Sequence, residues 1–291
     1  KTPFQFGATT YKRSASIGVS EIDGESTAAE YLRQADIALY VAKNKGRNRT
    51  HSFEEGDSES TKQLDNLRWV QKIQQAIIDD DIEMHFQPVL SILNQEVALE
   101  KANDIRFLDH QVINKTIELV SKHPELKKVA INLSGQAFSD DRLLPLIKEK
   151  LQQYNVKGER IIFELTESAS LTNIRGTRRM IEQLSEIGCQ FSIDDFGTGF
   201  STFAYLKELP AHSVKIDGSF VRDMTTNSVD HTLVVAIANV ASVLHKNSVA
   251  EFVENQEIFA SLEKIGVTYA QGYFISKPLK VEQAIKFDFR P

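Results

Sequence analysis

Two adjacent carboxylates, Asp194 and Asp195, directly follow the apolar run at residues 189–193. A short apolar run bounded by turn residues predicts a buried strand, so both aspartates lie at a strand end. Neighbouring carboxylates repel each other, and keeping both ionised needs a strong positive partner such as a divalent cation. The alternative is a polar turn in which Asp bonds to the local backbone. This stretch alone leaves both interpretations open.

The elements that position these aspartates alternate between strand and helix from residue 82 onward. The predicted strands are 82–89, 96–100, 128–133, 160–165, 189–193, 212–216, 248–253 and 268–274. The predicted amphipathic helices are 109–121, 142–154, 173–187, 230–245 and 256–265. Eight strands with intervening helices predict an α/β fold of the (β/α)8 barrel type. Only residues 90–95 join the first two strands, which is too short for a parallel crossover, so the first strand should be antiparallel.

Polar side chains end the last six of these predicted strands, where a barrel of this kind places its chemistry. In chain order they are Asn132, Glu164, Glu167, Asp194, Asp195, Lys215, Glu251, Glu254 and Gln271. Taken singly, each is compatible with a surface carboxylate, a turn residue or a solvated lysine. Their coincidence at six successive strand ends favours a metal-dependent site.

The ligand chemistry of this set indicates Mg²⁺ or Mn²⁺, because it offers oxygen atoms and no histidine or cysteine cluster. The seven histidines are scattered and none forms an H-x-x-x-H pattern, which argues against zinc. Two ions held by neighbouring carboxylates can activate water and stabilise the leaving oxygen of a phosphodiester. Lys215 could then orient the water or stabilise charge in the transition state.

Composition describes an ordinary globular chain of 291 residues, with 41% hydrophobic and 25% charged residues. The formal charge of −6 provides no electrostatic footprint for nucleic acid, although a metal could attract a small anion locally. The single cysteine, Cys189, excludes an internal disulfide and fits a reducing compartment. No apolar run is long enough to span a membrane, and no signal peptide opens the chain.

The N-terminal segment predicts a strand at residues 14–20 and a helix that begins with the capping box at Thr27–Glu30 and ends at Gly46. Its SASIGVS and ADIALYVAKNKGRNR motifs resemble the C-terminal third of a GGDEF (diguanylate cyclase) domain, without the signature that lies upstream in that family. We therefore assign it no cyclase chemistry. The predicted division is a GGDEF-like fragment at 1–53, a linker and connecting helix at 54–80, and the barrel at 81–291.

The barrel motifs INLS, FELTES, DDFGTGFS, LKELP, VKIDGSFV, AExVE and QGYFISKP, with FQP near Gln87, closely resemble the EAL family of cyclic di-GMP phosphodiesterases. The resemblance covers roughly residues 65–280. It implies a (β/α)8 barrel with an antiparallel first strand. It also implies hydrolysis of one phosphodiester of cyclic di-GMP to linear pGpG with Mg²⁺ or Mn²⁺, and we expect Ca²⁺ to inhibit.

The same resemblance implies metal roles for four residues. Asn132, Glu164 and Asp194 would bind the first ion. Asp194 would bridge to the second ion, which Asp195 also holds.

Further roles are implied around that centre. Lys215 would position or activate the water, Glu251 would be an additional metal-site carboxylate, and Gln271 would contact the water or its ligands. Glu167 would steady the loop after the fifth strand. Two residues are implied to lie near the nucleotide: Gln87 and Glu254.

Three departures from the family pattern stand out. The Glu-Ala-Leu signature is missing, and we place the gap between about Glu100 and Lys101, interpreted as an omitted disordered loop because a deletion would damage the barrel. Phe252 replaces the usual glycine. Strand alternation after Glu251 predicts that its ring is core packing, so that Phe252→Gly would cost about 3 kcal/mol of stability with little gain in rate. Gly218 replaces the usual arginine.

The leading hypothesis is thus an active phosphodiesterase in bacterial second-messenger signalling. One alternative is a cyclic di-GMP receptor that signals without cleavage through its linker helix, which carries Trp69, and another is a catalytically idle interaction module. We expect a homodimer with upstream sensory or membrane domains outside this chain and no nucleic-acid partner. The expected location is the cytoplasm, as a free protein or as the cytoplasmic part of a membrane-anchored one.

Overall fold

The N-terminal unit and the barrel unit are two compact parts of the chain in the computed structural model, Lys1–Ile82 and Glu83–Pro291. The structure describes residues 4–6, 9–11, 14–46, 48–54, 83–94, 96–102, 109–135, 140–198 and 203–289, with isolated residues 72, 75, 76, 79, 81 and 137. Most of the predicted linker and connecting helix at 54–80, including Trp69, lies outside these residues.

In the N-terminal unit, one helix packs on a pair of short parallel strands. Strands β1 (Phe4–Phe6) and β2 (Thr9–Tyr11) pair antiparallel, whereas β3 (Ile17–Val19) and β4 (Thr50–Ser52) pair parallel. Helix α1 (Ala28–Asn44) begins at Thr27, whose hydroxyl accepts the Glu30 N–H, as the capping box predicts. Its buried face consists of Tyr31, Ile37, Ala38, Val41 and Ala42.

Eight strands close into the predicted barrel in the second unit. They are β5 (His85–Ser91), β6 (Val97–Ala102), β7 (Val129–Asn132), β8 (Ile161–Thr166), β9 (Gln190–Phe196), β10 (Ser213–Ile216), β11 (Asn247–Ala250) and β12 (Tyr269–Gln271). Neighbours from β6 to β12 pair parallel, and β5 pairs antiparallel with both β6 and β12, which closes the ring. The (β/α)8 architecture and the antiparallel first strand are therefore confirmed. A short strand, β13 (Leu279–Lys280), pairs antiparallel with the first two residues of β5, His85 and Phe86.

Helices cover the outside of the barrel. They are α2 (Asp109–Lys122), α3 (Leu143–Gln153), α4 (Glu167–Thr172), α5 (Ile174–Glu186), α6 (Phe203–Glu208), α7 (Gly218–Val221), α8 (Ser228–Val243), α9 (Gln256–Ile265) and α10 (Val281–Ala284). Gly188 and Gly266 follow two of them with φ of +87°, as their predicted C-terminal positions require.

The barrel core is apolar below the strand ends and polar at them. The largest fully buried side chains include Phe86, Phe163, Phe191 and Phe196, and Lys215 is buried to the same degree. A lysine buried this deeply has to be paired, which directs attention to the C-terminal mouth. Among the described residues, no helix is both long enough and apolar enough to cross a membrane.

Candidate active site

The ammonium group of Lys215 lies inside a ring of four carboxylates at the C-terminal mouth of the barrel. Its Nζ atom is 2.9 Å from Glu251, 3.0 Å from Asp194, 3.0 Å from Glu100 and 3.2 Å from Glu164. Only 1% of Lys215 is exposed. We call these five residues the Lys215 cage.

A local irregularity in the sheet places the two aspartates beside Lys215. Strands β9 and β10 pair Val214 with Ile193 and Ile216 with Phe196, so two residues of β9 stand opposite one residue of β10. This β-bulge re-aims side chains that regular alternation would send to opposite faces. Asp195 takes a left-handed backbone conformation with φ of +54°, which Asp tolerates better than most residues.

Burial and mutual charge perturb the cage strongly. Burial raises the pKa of Glu164 well above its usual value, and neighbouring Glu100 raises it further against the opposing effect of Lys215. Burial likewise raises the pKa of Glu251 to about 8. Burial alone would lower the pKa of Lys215, but the surrounding carboxylates, Asp194 foremost, outweigh it and raise that pKa well above the usual value. These carboxylates therefore favour the charged form of Lys215.

Glu100 is the cage residue that the sequence reasoning missed. It ends the inward face of β6, and its Oε1 atom accepts a hydrogen bond from the Asn132 side-chain amide at 3.2 Å. Its Oε2 atom, although close to Lys215, is buried without a hydrogen bond. The available signal was position, because Glu100 is the last residue of the second predicted strand, 96–100, and Asn132 and Glu164 lie near the ends of the next two predicted strands.

Strand β6 spans the position of the predicted gap between Glu100 and Lys101. It continues through Lys101 and Ala102, which pair with Phe86 and His85 of β5. Residues 103–108 lie outside the described residues, and the interpretation of the gap as an omitted loop stays a prediction.

The barrel mouth has the donor set that a hard divalent cation requires. One carboxylate oxygen each from Asp194, Asp195 and Glu251 lie within 4.8 Å of one another. All three are oxygen ligands, which Mg²⁺ and Mn²⁺ prefer. These residues fit a Mg²⁺ or Mn²⁺ site, and the metal-binding roles expected of Asn132 and Glu164 stay predictions.

The remaining predicted residues fall into two groups around the cage. Gln271 donates to Gln87 Oε1 at 3.3 Å, and Gln87 donates to the Ser276 carbonyl at 3.0 Å, so both glutamines lie at one side of the mouth. Glu167 accepts the Gly197 N–H at 2.9 Å, which ties helix α4 to the loop after β9. That contact is the one its predicted loop-steadying role requires.

Glu254 lies at the rim, outside the cage, where it is 3.8 Å from the Arg222 guanidinium.

Phe252 lies near Glu254, and the predicted core position of its ring is wrong. Strand β11 ends at Ala250, and Phe252 has φ of +52° and is 49% exposed. Alternation does not apply beyond the last paired residue, so the chain turns the ring outward.

Comparison with known families matches both parts of the chain. The EAL domain family model matches residues 97–278, and the model described as diguanylate cyclase, GGDEF domain, matches residues 1–49. The first match includes every cage residue.

Curated relatives and solved structures agree with these family matches. Cyclic di-GMP phosphodiesterase PdeB of Shewanella oneidensis is 34% identical over 299 residues, covering 92% of this chain and 35% of the relative. Cyclic di-GMP phosphodiesterase NbdA of Pseudomonas aeruginosa is 32% identical, covering 100% and 41%. The chain thus spans well under half of these relatives. The structure titled PaMucR phosphodiesterase, c-di-GMP complex, aligns with a TM-score of 0.69 and 25% identity, covering 74% of this chain and 99% of that one.

Proposed function

Because this chain belongs to the EAL domain family, we propose that it hydrolyses one phosphodiester of cyclic di-GMP to linear pGpG. The observation that carries the proposal is the Lys215 cage, in which four carboxylates converge on one ammonium at a barrel mouth. Such an excess of buried negative charge favours added cations, and perturbed carboxylates in a concave mouth are typical of catalytic sites. The relatives named above as cyclic di-GMP phosphodiesterases support the substrate.

We propose that Asn132, Glu164, Asp194 and Asp195 hold the metal ions and that Glu251 is an additional metal-site carboxylate. Glu100 lies beside them in the cage. Bound Mg²⁺ or Mn²⁺ would lower the pKa of a water and offset negative charge on the phosphodiester. Lys215, kept cationic by its neighbours, orients the carboxylates and stabilises charge on the phosphoryl oxygens. The glutamine pair, Gln271 and Gln87, is placed to hold the water or the nucleotide at one side.

In the proposed reaction, a water oxygen forms a bond to phosphorus and the opposite P–O bond breaks. The water proton ends on the departing sugar oxygen, which leaves linear pGpG. Burial of the cage keeps bulk water away from these charges, which strengthens each electrostatic contact.

The decisive experiment is Asp195→Asn assayed with cyclic di-GMP and Mg²⁺ or Mn²⁺. Because the change removes a metal carboxylate and keeps the shape of the mouth, we expect turnover to fall by about 10³-fold, equivalent to several kcal/mol, with nucleotide binding retained. Asp36→Asn, the same chemical change on exposed helix α1, is the matched control and should not alter turnover. Parental turnover in Asp195→Asn would refute the metal assignment. Binding without turnover in the parent would instead indicate a receptor.

Calcium should inhibit where Mg²⁺ or Mn²⁺ supports turnover. Ca²⁺ is larger and tolerates looser coordination, so the attacking water would be misplaced. Equal turnover in the three metals would contradict this account of the site.

We propose that the protein forms a homodimer in the cytoplasm and that further domains lie outside this chain. The proposed domain boundaries within the chain are 1–53, 54–80 and 81–291. Exposed apolar side chains on helix α8, Val229, Leu233 and Val243, support self-association because they share one face at heptad-like spacing. Light scattering of Leu233→Lys against the parent tests it, and an unchanged dimer would exclude this face.

A further inference from the structure

The exposed ring of Phe252 is held at the mouth by backbone contacts on both sides. The Glu251 N–H donates to the Ile216 carbonyl at 3.3 Å, and the Val253 N–H donates to the Gln271 carbonyl at 3.0 Å. These bonds fix the residues before and after Phe252 to the ends of β10 and β12. The left-handed conformation of Phe252, with φ of +52°, is thereby imposed by the barrel.

That conformation is unfavourable for a bulky residue, and the exposed ring gains little from burial in return. Backbone strain of this kind persists where the surrounding structure enforces it, and such positions cluster at ligand sites. With 49% of its surface exposed, Phe252 contributes less to the core than the buried Phe196 at the end of β9. The position is therefore not explained by packing alone.

The ring of Phe252 packs directly against Gly218, where no side chain stands in its way. A Cβ atom at Gly218 would lie 1.9 Å from Cδ2 of Phe252 and 2.4 Å from its Cγ, so any larger residue would displace the ring. Phe252 follows Glu251 directly in the chain and Gly218 comes three residues after Lys215, so the ring rests between two segments that carry cage residues. Two departures from the family pattern are therefore linked, because the absence of a side chain at Gly218 makes room for the ring of Phe252.

Arg222 contacts the same ring. Its guanidinium carbon is 5.1 Å from the centroid of Phe252, within the range of a cation–π contact. Its Nε atom is 3.8 Å from Glu254. The ring, the guanidinium and the carboxylate form a small rim cluster that leaves an aromatic surface accessible next to the phosphodiester site.

We propose that Phe252 is a stacking surface for one purine base of the nucleotide, held in place by Gly218 and oriented by Arg222. The inference rests on the proposed function and adds a binding residue outside the metal cage. A planar base whose phosphate reaches the cage would find at this rim a flat apolar face, which is what an unpaired purine needs to replace stacking in water.

The test compares Phe252→Ala and Phe252→Trp with the parent. Binding of cyclic di-GMP to metal-free protein in EDTA is measured by calorimetry, and KM and kcat are measured with Mg²⁺. We expect Phe252→Ala to raise Kd and KM about tenfold, equivalent to ~1.4 kcal/mol, which is within the range for base–aromatic stacking. Turnover at saturation should remain within about twofold, because no cage residue changes. Phe252→Trp should bind within about threefold of the parent.

Gly218→Ala provides an independent variant, since it displaces the ring without removing it. It should weaken binding in the same direction as Phe252→Ala. Leu93→Ala, which removes a similarly exposed apolar side chain from the turn between β5 and β6, is the control and should leave Kd unchanged. Thermal melting verifies that each variant folds, and Phe252→Ala should not lower the melting temperature as a core truncation would.

Parental Kd in Phe252→Ala, in a protein that hydrolyses cyclic di-GMP, would overturn the stacking role and leave the proposed function intact. A parent that neither binds nor hydrolyses cyclic di-GMP would overturn both. If light scattering shows a dimer that Phe252→Ala converts to a monomer, the ring belongs to a protein interface and the stacking role is wrong.

Discussion

The two ends of the barrel both surround lysine with oxygen atoms, but the charges of those oxygens differ. At the mouth, Lys215 faces four carboxylates and its pKa is raised well above the usual value, because the carboxylates outweigh burial. At the opposite end, Lys246 donates to the carbonyls of Leu209 and Ala211 at 2.9 and 2.7 Å. Burial lowers the pKa of Lys246, since carbonyl dipoles only partly replace its hydration.

Arg160 shows the same design as Lys246 at the N-terminal end. Its guanidinium donates to the carbonyls of His123 and Leu126, which precede β7. Cations at this end satisfy neutral backbone groups, so their charge requires no further ligand. The mouth instead holds more negative than positive charge, which is costly for the fold and useful for binding cations. Lys246 and Arg160 are thus structural cations, whereas Lys215 is a functional one.

Lys215→Met should have the largest effect. Removing the buried cation leaves four carboxylates unpaired, and breaking a buried ion pair from one side costs about 3–5 kcal/mol. We expect turnover of cyclic di-GMP to be abolished and the free energy of unfolding of the metal-free protein to fall by that order. Urea denaturation and a turnover assay measure both. Turnover within tenfold of the parent would show that the cage is structural.

Glu100→Gln should have the next largest effect, and it tests a cage residue that only the structure identified. The amide keeps the size of the side chain and removes one charge from the cage. We expect turnover to fall about 10²-fold, equivalent to ~2.7 kcal/mol, with stability unchanged or improved because repulsion inside the cage decreases. Metal titration should show weaker activation. A variant as active as the parent would place Glu100 outside the working site.

Sequence periodicity was sufficient for the barrel, because each strand and helix is defined by its own pattern of apolar residues. The antiparallel first strand also followed, from the shortness of the connection to β6. Most of the cage could be predicted for the same reason, since Glu164, Lys215 and Glu251 each lie near the end of a strand that its apolar pattern predicts. Local patterns therefore predicted which residues meet, without predicting the distances between them.

The failures have equally local causes. The sequence does not single out Glu100, because the family signature is absent around it, whereas the Lys215 cage needs only one carboxylate on β6. The bulge that brings Asp194 and Asp195 opposite Lys215 depends on register between strands, which no single strand reveals. Phe252 was misplaced because alternation was extended two residues beyond Ala250, where hydrogen bonds to β10 and β12 control the backbone.

Lys246→Met should have a smaller effect than either cage substitution and should affect stability only. It leaves the carbonyls of Leu209 and Ala211 without their donor, and because the site is half-buried, water can partly replace the lysine. We expect a loss of about 1 kcal/mol in the free energy of unfolding, with turnover per folded molecule unchanged. It is the matched control for Lys215→Met. Loss of turnover in Lys246→Met would show that the cation at the N-terminal end of the barrel is functional too.

His212 should produce the smallest effect, a shallow pH dependence from the N-terminal end. Its Nδ1 atom accepts the Phe191 N–H at 3.1 Å, which requires an unprotonated nitrogen. Burial lowers the pKa of His212, and Lys246 and Lys128 lower it further. A folded-state pKa below the unfolded value of 6.5 means that the unfolded chain binds more protons in the window between them.

Stability from His212 is therefore present above pH 6.5 and is lost as the pH falls from there through the folded-state pKa. His212→Asn keeps an acceptor, the amide oxygen, and removes the titration. Urea denaturation of both proteins between about pH 7.5 and about pH 5.5 should show a steeper loss of stability in the parent. The Lys215 cage is the same in both proteins, so its contribution cancels in the difference. Equal slopes would mean that the Phe191 N–H bond does not depend on the protonation state of His212, and that the N-terminal end contributes no pH sensitivity of its own.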